Sequence, residues 1–377
     1  SRLYRMLSEK KKHGKVFCFT VSSFSASIGA LIFTWPLAAY YFGTLVLVSP
    51  LSNLLCLWAA SGIFLTGLLS LGVSVIWLPL GTLIGLVPRL LIAYLLRAAH
   101  MLASLPHHAL SMDNRYLWLW LAFAYILFAA AYLGRGGKRR RSVLAAVLAA
   151  VTLGASIRLW VGRYEDGRLH ILALDVGQGA STLLCDGGAF ALVDCGSSNS
   201  WYSAGDIAAN RLRSMGCDRL DTLVLTHYDT DHVNGVEELM TLLPVETLLV
   251  PDTADDTGVR ESVLLAAAAH GTAVKMVTDV HTISMGESTL RLYPVAGGET
   301  DNDSGLALLC SREEHDLLIT GDMDAAGERR LLETWELPDI DILEVGHHGS
   351  ASSTCEDLLD ALRPETAIIS VGSGNSY

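Results

Sequence analysis

Leu225-Thr226-His227-Tyr228-Asp229-Thr230-Asp231-His232-Val233-Asn234-Gly235 is the stretch on which the reading of the chain turns. Four potential metal ligands, His227, Asp229, Asp231 and His232, fall within six residues. The apolar run Thr222 to Leu225 before them predicts a short buried strand. Gly235 and the amphipathic run Val236 to Leu243 predict a turn and then a helix. The ligands are therefore expected in a loop at the C-terminal end of a strand. Burying two carboxylates and two imidazoles without a cation is costly, so the cluster points to a metal site rather than a solvated acidic loop.

Working outward, the same pattern repeats. Leu169 to Leu174 predicts a strand, followed by the Gly-rich turn Asp175-Val-Gly177-Gln-Gly179-Ala180-Ser181 and a second strand, Thr182 to Cys185. Glycines in such a turn let backbone approach backbone, or a phosphate. Phe190 to Val193 predicts a third strand, ending in Asp194-Cys195-Gly196, and Ala204 to Met215 an amphipathic helix. After the ligand loop come strands near 247–250, 273–277, 281–283 and 288–293, with a helix near 260–270. Asp301-Asn302-Asp303-Ser304-Gly305 leads into the strand Leu306 to Cys310. Asp316 to Thr320 is a strand ending in Gly321-Asp322, Asp324 to Trp335 a helix, and Asp341 to Val345 a strand ending in Gly346-His347-His348-Gly349-Ser350. A helix near 354–362 and the strand Thr366 to Val371 follow. Three strands thus end in metal-ligand residues, as in an α/β site whose ligands sit on loops at strand ends.

The region before this one is of another kind. The chain has 377 residues, 51% of them hydrophobic, too apolar for a purely soluble protein of this length. Residues 1–161 carry 15 Lys+Arg against only Glu9 and Asp113, 15 − 2 = +13, whereas residues 162–377 carry 12 against 37 Asp+Glu, 12 − 37 = −25. The two regions meet near Gly162. Five membrane spans are expected, at about 17–41, 45–71, 73–96, 117–133 and 142–161, each with roughly the 20 apolar residues a hydrocarbon core requires. The second and third are divided mainly by Gly72, and residues 39–50 offer an alternative re-entrant or interfacial piece. Trp77, Tyr116, Trp118 and Trp120 fall near span ends, as interfacial aromatics do. Arg89 and Arg97 fall at the outer end of the third span, either snorkelling or facing a polar pore.

Basic residues set the orientation. Arg2, Arg5, Lys10, Lys11, Lys12 and Lys15 at the start, and Arg135 with Lys138-Arg139-Arg140-Arg141, are expected on the cytoplasmic face. Four spans lie between these two segments, and the fifth then carries residues 162–377 outside the cytoplasm. The loop 98–115, with Pro106, His107 and His108, would be external. The seven Cys contain no C-x-x-C pair, so zinc-finger and thioredoxin-like readings are unsupported and no disulfide framework emerges.

His227-x-Asp229-x-Asp231-His232 resembles the signature loop of the metallo-β-lactamase superfamily, in the variant with Asp at the second ligand position. With Asp175-Val-Gly-Gln-Gly, Leu192-Val-Asp194-x-Gly196, Thr320-Gly321-Asp322 and His347-His348-Gly349-Ser350, it is similar to ComEC-type channels, which internalise DNA in naturally competent bacteria. Val48-Ser-Pro50-Leu-Ser-Asn53 looks like part of their membrane domain. The resemblance implies an α-helical transmembrane region, residues 1–161, followed by an α/β metallo-β-lactamase-like domain, an αββα sandwich, over residues 162–377. It implies that His227 and Asp229 hold one metal ion, that Asp231 and His232 hold a second, that Asp322 bridges them, and that His347 or His348 completes the second site. Asp231, His232 and Asp322 would carry the catalysis. Asp194 would orient the His loop from behind, as metal-bound imidazoles need, with Asp175 as a further supporting carboxylate. Ala180 departs from the Asp common in that family, and Gly305 stands where Ser is usual. The third His of many lactamase-like enzymes is absent, as are an N-terminal domain and a Gly-His-Pro motif beyond Tyr377, so the chain reads as a fragment.

The carboxylate share of the ligand set favours Mn²⁺ and admits Zn²⁺. Two such ions suit in-line phosphodiester hydrolysis better than acyl transfer. The expected activity is a metal-dependent nuclease degrading one DNA strand during uptake. Its partners would be single- or double-stranded DNA, the plasma membrane and other proteins of the uptake machinery. Two alternatives stand beside it: a membrane-tethered hydrolase of a cell-envelope phosphodiester, favoured by the −25 charge of residues 162–377, and a DNA channel with an inactive hydrolase domain.

Overall fold

A computed structural model describes residues 15–103, 105, 109–111, 114–134, 137–199, 203–253, 257–297, 304–373 and 375. The basic start Arg2 to Lys12, the residues Pro106, His107, His108 and Arg135, and Asp301-Asn302-Asp303 lie outside the described residues. The chain divides into two compact units, 1–153 and 154–377.

The first unit is built from long helices: α1 (Lys15–Phe42), α2 (Ser49–Ile76), α3 (Leu78–Ala103), α4 (Arg115–Leu133) and the greater part of α5 (Lys138–Val161), whose end from Gly154 on belongs to the second unit. The last four are each long and apolar enough to cross a membrane. α1 runs for 28 residues over the first expected span. The division between α2 and α3 lies at Trp77, not at Gly72, which is inside α2 with open space around it. Gly is tolerated in an apolar helix where no water competes for the backbone bonds. The chain turns instead before Pro79, whose missing N–H suits the first turn of a helix. This shifts α3 seven residues beyond its expected end, so Arg89 sits in mid-helix and Arg97 inside the last two turns rather than both at the outer end. Asn114 caps α4 by accepting from Tyr116 N at 2.9 Å. Two short strands that the sequence reading missed, β1 (Thr44–Val46) and β2 (Ala109–Ser111), pair antiparallel. They place the α1–α2 and α3–α4 connections at the same end of the helices.

The second unit holds β3 (Leu169–Ala173), β4 (Thr182–Asp186), β5 (Ala189–Val193), α6 (Ala204–Ser214), β6 (Leu220–Val224), α7 (Thr230–Val233), α8 (Val236–Leu242), β7 (Val245–Pro251), α9 (Val259–His270), β8 (Ala273–Val277), β9 (His281–Met285), β10 (Ser288–Val295), β11 (Gly305–Arg312), β12 (His315–Ile319), α10 (Ala325–Thr334), β13 (Ile342–Glu344), α11 (Glu356–Leu362) and β14 (Thr366–Ile368). They form two six-stranded sheets, ordered β3-β4-β5-β6-β7-β8 and β14-β13-β12-β11-β10-β9. In each sheet, strands pair antiparallel at the hairpin side and parallel where helices intervene: β5, β6, β7 and β8 in the first, β12, β13 and β14 in the second. This is the αββα sandwich.

Strand alternation builds it. On β11, Leu306, Leu308 and Cys310 pack with Leu184, Val193, Val224 and Leu249 of the other sheet. Ala307 and Leu309 point the other way, toward Leu331 of α10 and Leu358 of α11. With both faces covered, β11 is buried almost throughout, and it reads as a continuous apolar run. The parallel strands β5, β6, β12 and β13 all run so that their C-terminal ends lie at one edge of the sandwich. That edge is where the ligand residues gather.

Candidate metal centre

The centre rests on Asp194. It follows β5 in a left-handed backbone conformation, φ 59°. Its buried carboxylate accepts three hydrogen bonds, from Thr226 N at 2.7 Å, from Thr226 Oγ1 at 2.7 Å and from His232 Nδ1 at 2.8 Å. Glycines let the backbones close in around it. A Cβ at Gly196 would stand 2.3 Å from Asp231 C, and one at Gly179 would stand 2.4 Å from Gly196 O. The Gly-rich turn therefore serves close backbone contact: Ala180 N donates to Asp231 O at 3.1 Å and Cys195 N to His232 O at 2.7 Å.

Hydrogen-bond accounting fixes the histidine tautomers. His232 Nδ1 faces a carboxylate, so it carries the proton. The single Thr226 hydroxyl proton goes to Asp194, so His227 Nδ1, 2.9 Å from Thr226 Oγ1, must donate to it. His348 Nδ1 lies 2.9 Å from the carbonyl of Ser370, which can only accept. In each neutral ring the other nitrogen, Nε2, then presents a lone pair. All three Nε2 atoms are buried and make no hydrogen bond. They converge on carboxylates: His232 Nε2 lies 3.0 Å from Asp322 Oδ1, His348 Nε2 3.4 Å from Asp231 Oδ2 and 3.7 Å from Asp322 Oδ2. Lone pairs aimed at anionic oxygens repel one another unless a cation lies between them. The residues fit divalent metal, in two overlapping groups whose ligand atoms lie within 4.8 Å of one another: His227, His232 and Asp322, and Asp231, His232 and His348.

The anions call for positive charge at the same atoms. Burial would lower the pKa of His232, but the carboxylates of Asp194 and Asp322 overcome it and hold the ring well above its ordinary value, so a proton on Nε2 competes with a metal ion for that lone pair. Burial would raise Asp322, and His232, His227 and His348 together hold it well below the usual carboxylate range. Asp231 behaves likewise, with His348 as its partner.

The residues expected from sequence do not all meet here. Asp229 is half-exposed, its carboxylate 3.7 Å from His227 Nε2 and outside both tight groups. His347 Nε2 stands 3.8 Å from Asp322 Oδ2, also outside them, so of the pair it is His348 that closes the second group. Both histidines take left-handed backbone, φ 51° and 53°, a conformation that costs about 1–3 kcal/mol per residue outside glycine. The loop is held there by His347 N donating to Gly321 O at 3.1 Å and by Gly346 N donating to Thr354 Oγ1 at 3.1 Å. Asp175 is not behind the ligands: it is exposed, and it accepts from Gly177 N at 3.3 Å. The supporting partners are Thr226 and Ser370, which the sequence reading passed over.

Glu344 was also passed over. It is buried beside the site, its Oε2 accepting from Thr182 Oγ1 at 2.7 Å, and burial pushes its pKa up to about 7. A lone acid in the apolar strand Ile342-Leu343-Glu344-Val345 was the available signal.

Residues 174–373 match the metallo-β-lactamase superfamily, and the chain belongs to it. Residues 1–136 match the competence protein family, and the two matches together have the make-up of the ComEC-type proteins that the sequence resembles. The chain is 34% identical to ComE operon protein 3 of Bacillus subtilis over 44% of this chain and 22% of that protein. It is 32% identical to Recombination protein 2 of Haemophilus influenzae over 54% of this chain and 24% of that one. The matched part is thus about a quarter of the length of these curated relatives. Among solved structures, the metallo-β-lactamase fold protein YhfI from Bacillus subtilis covers 54% of this chain and 87% of its own, at 13% identity and TM-score 0.37.

Proposed function

We propose that this chain is a membrane-bound, metal-dependent phosphodiesterase of DNA uptake, its hydrolase unit outside the cytoplasm and cutting one DNA strand. The observation that carries the reading is the convergence of three hydrogen-bond-free Nε2 atoms on Asp231 and Asp322. In this reading His227 and Asp322 would hold one divalent ion, and Asp231, His232 and His348 the other, since His232 has only one Nε2 lone pair to give. Asp229 and His347 stand at the open side. The bound ions would supply an activated water and positive charge against the phosphate oxygens, Mn²⁺ suiting the mixed ligand set better than Mg²⁺. Asp194 keeps His232 in the tautomer that ligates, and through Thr226 does the same for His227. Asp322, deprotonated at any working pH, presents one oxygen to each group.

The names of the relatives and the competence match support DNA as the substrate. The −25 charge of residues 162–377 instead favours an envelope phosphodiester. For orientation, the reading rests on the basic segments and on the β1–β2 pairing, which agrees with an even number of spans between them. The test is cleavage of single- and double-stranded DNA by the purified chain in detergent, across a Mn²⁺ titration and in excess chelator. Cutting that needs metal supports the reading. Undiminished cutting in chelator, or hydrolysis of a wall phosphodiester but never of DNA, overturns it. A reporter fused after Gly162 should be active outside the cytoplasm.

A further inference from the structure

Arg89 lies eleven residues from Leu78 and fourteen from Ala103 on the 26-residue helix α3. At 1.5 Å per residue it is roughly 16 Å from the nearer end, near the middle of any bilayer that α3 crosses. Arg97 and His100 follow on the same side, within an arc of about 80° at 3.6 residues per turn, and all three are exposed. Leu91 and Tyr94 occupy the other side and meet α2: Leu91 approaches Gly62, and Tyr94 Oη donates to Leu55 O at 3.2 Å. Among the described residues no hydrogen bond or ion pair reaches Arg89 or Arg97.

Nor does the sequence offer them a counter-ion. Between Glu9 and Asp113 there is no Asp or Glu, and there is none from 114 to 161. Helices α1 to α5 therefore contain no carboxylate at all. Arg stays protonated in proteins, and a bare guanidinium at mid-bilayer is strongly disfavoured. Arg97 and His100, near the helix end, can reach an interface by snorkelling, but Arg89 cannot. A counter-charge from outside these helices is required. One carboxylate would answer one guanidinium, whereas a stripe of like charge is complementary to a linear polyanion.

We propose that the Arg89–Arg97–His100 face of α3 lines a water-filled path and binds the phosphodiester backbone of a nucleic-acid strand. This rests on the reading of the chain as a DNA-uptake protein, and it gives that reading a route through the membrane. Recognition by point charges reads phosphate and not base, so it is independent of sequence and sensitive to salt.

The test uses the full chain in lipid vesicles with a benzophenone side chain at position 93, on the Arg89 face, or at position 87, on the opposite side. The probes are a labelled single-stranded oligonucleotide and the same sequence on an uncharged peptide backbone. Position 93 should crosslink the phosphodiester probe at least tenfold more than position 87 does, and should ignore the uncharged one. Arg89→Leu should abolish that excess and Arg89→Lys should keep it. If Arg89→Leu fails to insert, the unmodified face still reports: two phosphate contacts imply roughly sevenfold weaker capture on going from 50 to 200 mM salt. Equal labelling from both positions, labelling of the uncharged backbone, salt-independent capture, or crosslinks from position 93 only to protein or lipid would each overturn the proposal. DNA cleavage by the unmodified chain is scored separately. Cleavage without capture rejects this face alone, and the absence of both rejects the uptake reading as well.

Discussion

The hydrolase centre and the middle of α3 both keep charge away from bulk water, and they handle it in opposite ways. Around Asp194, the carboxylate, Thr226 and the Nδ1 atoms of His227, His232 and His348 all have partners of their own chain, and the three Nε2 atoms have none. On α3, Arg89 has no hydrogen bond or ion pair among the described residues, and its helices hold no acid to provide one. Buried polar groups are satisfied as a rule, so the places where the internal account stops are where an outside ligand enters. In the centre the missing partner is cationic and small; on α3 it is anionic and extended.

The strongest way to break that contrast is Asp322→Asn. If this carboxylate serves both ligand groups, hydrolysis should fall roughly 1,000-fold or more and bound metal should drop from two equivalents toward none. Asp231→Asn should weaken one group only, and high Mn²⁺ should partly restore it. Equal rescue of both variants would mean that Asp322 does not bridge. Next comes Asp194→Asn. It introduces an NH₂ where three donors converge, and metal affinity should fall about 10–100-fold. Isothermal titration with Mn²⁺ measures this directly, and an unchanged affinity would show that the tautomers are set by something else.

Glu344 sharpens the comparison from the stability side. Its carboxyl is held at about 7 by burial, against an unfolded value near 4.3. Between those values the folded chain keeps a proton that the unfolded chain has lost. The contribution is therefore complete below pH about 4.3 and is lost as pH rises through 7, by roughly 4 kcal/mol at most. In excess chelator, Glu344→Gln should flatten the fall in melting temperature over that window and melt higher at pH 8. The smallest effect is expected for Asp175→Asn: less than twofold in hydrolysis, because this exposed carboxylate only caps a turn. A tenfold loss there would return Asp175 to the site.

Asp175 and Asp194 also show what the sequence could and could not reveal. Both are acids at the end of an apolar strand with glycine two residues on. The pattern predicts the strands and the turn, and the strand and helix positions of the second unit follow from periodicity with ends shifted by a few residues. It cannot say which acid points inward, because that depends on φ 59° at Asp194 and on a partner 32 residues away, Thr226. The same limit hid Ser370, which acts through its carbonyl and so carries no side-chain signal. In the membrane unit, hydropathy places the helices, but the turn at Trp77 depends on Pro79 rather than on Gly72, and Arg89 was misplaced with it. The β1–β2 pair joins segments more than sixty residues apart and each only three residues long, too short for alternation to register.

The ligand cradle has a consequence for the order of folding. Its backbone ties join Ala180 and Cys195 to the turn at Asp231 and His232, and its side chains come from β6, β12 and β13. Contacts this distant in sequence form late, since the loops between them must close first. The cation therefore meets a finished site rather than nucleating one. Adding Mn²⁺ during refolding should leave the folding rate nearly unchanged and lengthen the lifetime of the folded state, the behaviour of an interaction absent from the transition state.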